Sequence, residues 1–102
     1  MPQLTGMPLL QNLEVYRIIG KNVKEVRKEI PMTQLEFAYY LGICNESLSK
    51  IESGKNRTEY ALLKAIADIF GTSTDDLAIE DKYLEIRNTN IEEIRLRLDI
   101  IV

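Results

Sequence analysis

Apolar residues recur at helical spacing from Leu13 through Tyr16, Ile19, Val23 and Val26 to Ile30. Asn12 stands where a cap would start this helix, and Pro31 stops it by restricting Ile30 and supplying no N–H. Gly20 weakens the middle, so the N-terminal half could be a separate turn. Upstream, Pro2, Gly6 and Pro8 mark residues 1–11 as a flexible lead-in, with Leu9 and Leu10 packing back. Thr33 and Glu36 form a T-x-x-E capping box, Phe37, Ala38 and Leu41 supply a buried face, and Gly42 ends the second helix. Asn45 is the next cap, for a short helix to Ser53 closed by Gly54. A loop of Lys55, Asn56 and Arg57 leads to Thr58, the cap of a helix from Glu59 to Phe70. That helix packs Tyr60, Leu63, Ile66, Ala67 and Phe70 and stops at Gly71. Ser73 then caps a short turn in which Asp75 and Asp76 suit a helix N-terminus and Leu77 turns inward. No segment before residue 80 alternates with period two, so residues 12–79 are expected to form five short helices.

Residues 80–102 carry two patterns. Asn90 and Glu93 form an N-x-x-E capping signal, and Ile91, Ile94, Leu98 and Ile101 share one helical face. Ile94, Leu96, Leu98, Ile100 and Val102 also alternate, and Tyr83–Arg87 could be a partner strand across Asn88-Thr89-Asn90. A helix is favoured, with a β-hairpin as the alternative. Either way the segment holds more apolar side chains than a domain closed by Leu77 needs, which marks residues 80–102 as a homodimerisation extension. The alternative is a tail folded back onto its own helices.

A chain of 102 residues leaves room for one domain. Its lone cysteine, Cys44, precludes an internal disulfide and fits a reducing cytoplasm, while the absence of His removes His-based catalysis and ordinary zinc sites. No apolar run approaches the roughly 20 residues of a membrane span, and the N-terminus has no signal-peptide pattern. A cytoplasmic, non-enzymatic protein without catalytic residue, metal or cofactor is expected. Paired-carboxylate chemistry at Asp75 and Asp76 is a weaker account of those acids than the helix dipole. The net charge of −3 hides a division. Residues 17–64 carry nine Lys/Arg against six Asp/Glu, and residues 65–102 carry four against nine. An anion-binding half joined to an acidic half is one reading, and ordinary surface variation is the other.

Two short helices joined at Gly42 make a helix-turn-helix, whose second helix can enter the DNA major groove. A step of about 100° per residue places Leu48, Ile51 and Cys44 in one apolar wedge opposite Glu46, Ser49, Lys50 and Ser53. Asn45 stands at the N-terminal tip of that polar stripe. Cys44 accordingly reads as a small buried hydrophobe rather than a redox sensor.

The stretches IGKNVKEVRKE, MTQLEFAYYLGICNESLSKIESGK and ALLKAIADIFGTSTDDL make residues 19–77 resemble the lambda-repressor/Cro (xenobiotic-response-element) class of helix-turn-helix domains. The T-Q-x-x-F-A core, the L-G-I turn, the S-x-I-E-x-G close and A-x-x-F-G…D-D-L fall at family spacing. The resemblance implies an all-α, five-helix lambda-repressor-like domain, here with a C-terminal extension. It places Gln34 at a phosphate-facing helix N-terminus, and Asn45, Glu46 and Lys50 at base-reading positions. Ser47 and Ser49 become phosphate or water-mediated contacts, and Lys55, Asn56 and Arg57 a backbone-gripping loop. Arg27 and Glu52 match a structural ion pair tying the first helix to the end of the third. Thr58 replaces a common loop proline, and Pro31 a common glycine. Glu46 is the awkward departure, since phosphates repel a carboxylate: it either accepts from cytosine N4 or only pairs with Lys50 one turn on.

Lys21, Lys24 and Lys28 read as a solvated face more readily than as a source of long-range attraction for DNA. One of Tyr39 and Tyr40 is expected at the core edge. The chain is thus expected to be a DNA-binding transcriptional regulator, a repressor bound as a homodimer to an inverted repeat in double-stranded DNA, its acidic tail pointing away from the duplex. The rival is a protein-interaction module, such as an antitoxin, that keeps this fold and binds a protein partner.

Overall fold

The computed structural model describes residues 6–55 and 57–99, which are all-helical, with no strand among them. Six α-helices follow in order: α1 (Gly6–Lys28), α2 (Gln34–Leu41), α3 (Asn45–Ser53), α4 (Tyr60–Phe70), α5 (Lys82–Thr89) and α6 (Ile91–Arg97), with a 3₁₀ turn at Asp76–Ala78 between α4 and α5.

Helix α1 starts six residues before Asn12, so the expected lead-in is already helical from Gly6. Pro8 falls in the first turn, where helical N–H groups have no intrahelical acceptor and a proline removes nothing. The helix also runs unbroken through Gly20. The reason is lateral: a Cβ there would lie 2.2 Å from the Ile51 carbonyl oxygen and 2.8 Å from that of Glu52. The glycine lets α1 and α3 touch backbone to backbone. The side chains of Leu9, Leu10 and Leu13 lie outside what is described.

Helix α2 begins in a formed capping box: the Glu36 N–H donates to Thr33 Oγ1 at 3.1 Å, and the Thr33 N–H to Glu36 Oε1 at 2.8 Å. Gly42, Gly54 and Gly71 end α2, α3 and α4 with φ of 77°, 74° and 72°, the left-handed conformation that lets amide groups turn back to the last carbonyls. Caps fall one residue from the expected ones at α3 and α4: Cys44 precedes α3, and Glu59 precedes α4. Tyr60, expected in the core, is exposed as the first residue of α4, while Leu63, Ile66, Ala67 and Phe70 are buried. Ser73 Oγ accepts from the Asp76 N–H at 3.0 Å, and Leu77 is fully buried.

The core joins Ile19, Val23, Val26 and Ile30 of α1 and the segment after it to Phe37, Leu48, Ile66 and Phe70. The Phe37 and Phe70 rings stack at 6.2 Å between centroids. The tail closes this core. Ile86, Ile94 and Leu98 are buried in it, so these apolar residues are spent on the chain itself, as two helices and not as a hairpin. The N-x-x-E signal forms no cap, because the Asn90 amide donates instead to the Phe70 and Gly71 carbonyls at 2.9 and 3.3 Å. Arg97 Nη1 donates to the Ile69 carbonyl at 3.1 Å. The two side chains supply the orphan carbonyls at the end of α4 with donors, one of them charged to suit the dipole. Ile100, Ile101 and Val102 lie outside the described residues.

On the other side, buried Asn22 fastens α5 to α1. Its amide nitrogen donates to the Leu77 and Ile79 carbonyls at 2.8 and 2.9 Å, and its oxygen accepts from the Tyr83 N–H at 3.0 Å. The Tyr83 ring then has Lys21 Nζ at 5.8 Å and the Arg87 guanidinium carbon at 5.3 Å from its centroid.

Candidate nucleic-acid interface

Helix α3 is held from its inner side only. Leu48 and Ile51 are buried against the core, and Glu52 is buried beside them. Arg27 Nε and Nη2 donate to the two Glu52 oxygens at 2.6 and 3.1 Å, and Gln34 Nε2 donates to Glu52 Oε1 at 3.0 Å. One carboxylate therefore ties α1, the N-terminus of α2 and the end of α3 together. Its side chain is 3% exposed and that of Arg27 12%. Burial of such a charge is tolerable only with this many donors.

The outer stripe of α3 carries Asn45, Glu46, Ser49, Lys50 and Ser53, all exposed. Ser53 Oγ donates to the Lys50 carbonyl at 3.1 Å. Among the described residues Glu46 and Lys50 form no ion pair. Ser47 lies on one flank of the stripe and, with Ile43, Ile51 and Arg57, lines a shallow cleft. Ser49 lies on the opposite flank, in a notch with Lys24, Arg27, Gln34, Glu52 and Ser53. Lys55 and Arg57 are exposed, and Asn56 lies outside the described residues.

Cys44 departs from the sequence-derived wedge. It is exposed at the start of α3, with Sγ 3.2 Å from Ser47 Oγ. The Ser47 hydroxyl, and after it the Ser47 backbone N–H, hold the thiol below its ordinary value, against smaller opposition from burial and the Glu46 charge. The wheel angle was right for a longer helix, but α3 starts at Asn45, so Cys44 never joins its inner face. Tyr39 and Tyr40 are both exposed, and Tyr40 Oη donates to the Arg97 carbonyl at 3.2 Å.

The division of charge along the chain is not a clean division in space. Glu80 and Asp81 share a cleft with Arg17, Lys21 and Ser53 beside the end of α3. Lys24 was the position whose placement the sequence did not disclose, because its partners in the notch come from three different helices.

A helix-turn-helix family model matches residues 23–77. The chain is 40% identical over 83 residues, 81% of its length, to Antitoxin PezA of Streptococcus pneumoniae serotype 4, and spans 50% of that protein. It is 35% identical over 65 residues, 64% of its length, to the uncharacterized HTH-type transcriptional regulator YazB of Bacillus subtilis, covering 94% of that protein. No solved structure matches. No helix among the described residues is long and apolar enough to cross a membrane.

Proposed function

The chain belongs to the helix-turn-helix family, of the lambda-repressor/Cro kind, and on that premise we propose that it is a sequence-specific DNA-binding transcriptional regulator, a cytoplasmic repressor that occupies an inverted-repeat operator as a homodimer. The observation that carries this reading is α3 itself: anchored from within by Leu48, Ile51 and Glu52, it turns Asn45, Glu46, Ser49 and Lys50 outward with no side-chain hydrogen bond or ion pair among the described residues. Side chains of that reach on a single helix face suit base edges in the major groove. Lys50 pairs with guanine, and Glu46, left without Lys50 as a partner, accepts from cytosine N4. Ser47 and Ser49 hold phosphates or bridging water, Gln34 meets a phosphate at the N-terminus of α2, and Lys55, Asn56 and Arg57 grip the backbone beyond α3.

A single α3 reaches few bases, and two copies about a two-fold axis would read half-sites about 34 Å apart. Residues 80–102 remain the proposed contact between copies, through Leu84 and Leu96, the tail's exposed apolar residues among those described. The test is binding of a duplex selected from a random pool, titrated with salt. A specific complex that weakens steeply as salt rises supports the reading, with log K falling by about 0.9 per log unit of salt for each neutralised phosphate. Absence of any such complex refutes it. Glu46→Gln should alter which bases are preferred in the selected site, and unchanged preference removes the base-reading role of Glu46.

A second reading is favoured by the resemblance to Antitoxin PezA. In it the chain, or a protein of which it is the DNA-reading part, also binds a protein partner. A pull-down in which the purified chain retains a defined partner but no duplex would favour that reading over the first.

A further inference from the structure

Four basic residues of α1, Arg17, Lys21, Lys24 and Lys28, are spaced to lie along one side of the helix, and all are exposed. Three of them are occupied. Arg17 Nη2 is 2.7 Å from Glu14 Oε1, Lys28 Nζ is 3.6 Å from Glu25 Oε2, and Lys21 stands over the Tyr83 ring in a cleft that also holds Glu80 and Asp81. Lys24 differs. Among the described residues it has no ion-pair partner, and it forms one wall of a notch of about 220 Å³ whose other walls are Arg27, Gln34, Ser49, Glu52 and Ser53.

The acid in that notch, Glu52, has its two oxygens taken by three donors from Arg27 and Gln34. What the notch offers a visitor is therefore a lysine ammonium, the guanidinium edge not turned to Glu52, and the Ser49 hydroxyl, the Ser53 hydroxyl being given to the Lys50 carbonyl. That set is complementary to an anion with several acceptor oxygens. A group in the notch would sit against the Ser49 flank of α3, opposite the Ser47 flank where Arg57 lies. With α3 in a major groove, the two flanks face the two sugar–phosphate strands.

We propose that Lys24 contacts a DNA phosphodiester directly, seating it in this notch so that α1 clamps one strand while Arg57 holds the other. The inference rests on the DNA-binding reading above. Its test uses the full chain and the duplex selected by the wild type, with Lys24→Gln, Lys24→Arg and, as a control, Lys64→Gln, whose lysine pairs with Asp68 on α4 at 2.8 Å. Lys24→Gln should reduce the slope of log K against log salt by about 0.9 per copy bound, whereas Lys24→Arg and Lys64→Gln should keep the wild-type slope. Ethylation of one phosphate that weakens wild-type binding should leave Lys24→Gln binding unaffected. Equal slopes for wild type and Lys24→Gln, or the same interfering phosphates in both, overturn the contact while leaving the regulator reading intact. Failure of the wild type to form a salt-dependent complex would instead sink the reading on which it rests. Melting temperatures close to wild type identify a lost slope as lost contact, since Lys24 is exposed.

Discussion

Arg27→Met isolates what holds α3 in place. The substitution removes the guanidinium that donates to both Glu52 oxygens at 2.6 and 3.1 Å and leaves a carboxylate 3% exposed with the Gln34 amide at 3.0 Å. Stranding one member of a buried pair costs about 3–5 kcal/mol. The surviving amide bond places the cost at the lower end, about 3 kcal/mol. For a domain of this size about 4–8 °C is lost per kcal/mol, so the midpoint should fall by about 12–24 °C. The assay is thermal unfolding by circular dichroism at neutral pH, run with Glu52→Leu and with the double variant Arg27→Met/Glu52→Leu. Removing both charges leaves no stranded ion, so the double variant should lie within about 1 kcal/mol of wild type, well above Arg27→Met. A midpoint loss under about 4 °C for Arg27→Met, or a double variant no better than that single one, would refute the assignment of Glu52 as a buried charge that must be answered.

Gly20→Ala should destabilise despite the roughly 0.5–1 kcal/mol that alanine gains over glycine inside a helix, because its Cβ would meet the Ile51 and Glu52 carbonyl oxygens at 2.2 and 2.8 Å; a loss of about 3 kcal/mol in urea unfolding is expected. Gly42→Ala, with nothing within 4 Å of the added atom, should lose only the roughly 1–2 kcal/mol of left-handed strain, and a Gly20→Ala chain as stable as wild type contradicts the backbone contact. Cys44, whose thiol is lowered chiefly by the Ser47 hydroxyl, has the larger thiolate fraction at a given pH. Its alkylation by iodoacetamide should therefore rise with pH at a lower midpoint than that of an unperturbed cysteine thiol, and Ser47→Ala should move that midpoint back up.

The helices from α2 to α4 were legible because their signals are local. Thr33 and Glu36 meet within one turn, and Gly42, Gly54 and Gly71 each end a helix through their own φ. The outward stripe of α3 was legible for the same reason, being set by spacing along nine residues. The missed features are lateral. Gly20 looked like a weak point, since its use depends on the Ile51 and Glu52 carbonyls lying beside it. Asn90 looked like a cap, but the end of α4 drew its amide away. The tail looked like spare apolar surface, because nothing in its own pattern shows that Phe70 and Leu77 leave room for Ile86, Ile94 and Leu98. Lys24 looked like one solvated lysine among three until Gln34 and Ser49 stood next to it.

Because α3 is fastened wholly through Leu48, Ile51 and Glu52, positions Glu46, Ser49 and Lys50 bear almost none of the folding free energy. Exposed sites of this kind accept exchange within about half a kcal/mol. Mutation can thus rewrite that face without first finding a stabilising change elsewhere. The scaffold is evolvable at the one surface where novelty alters what is recognised, and conservative where Arg27, Gln34 and Glu52 lock together.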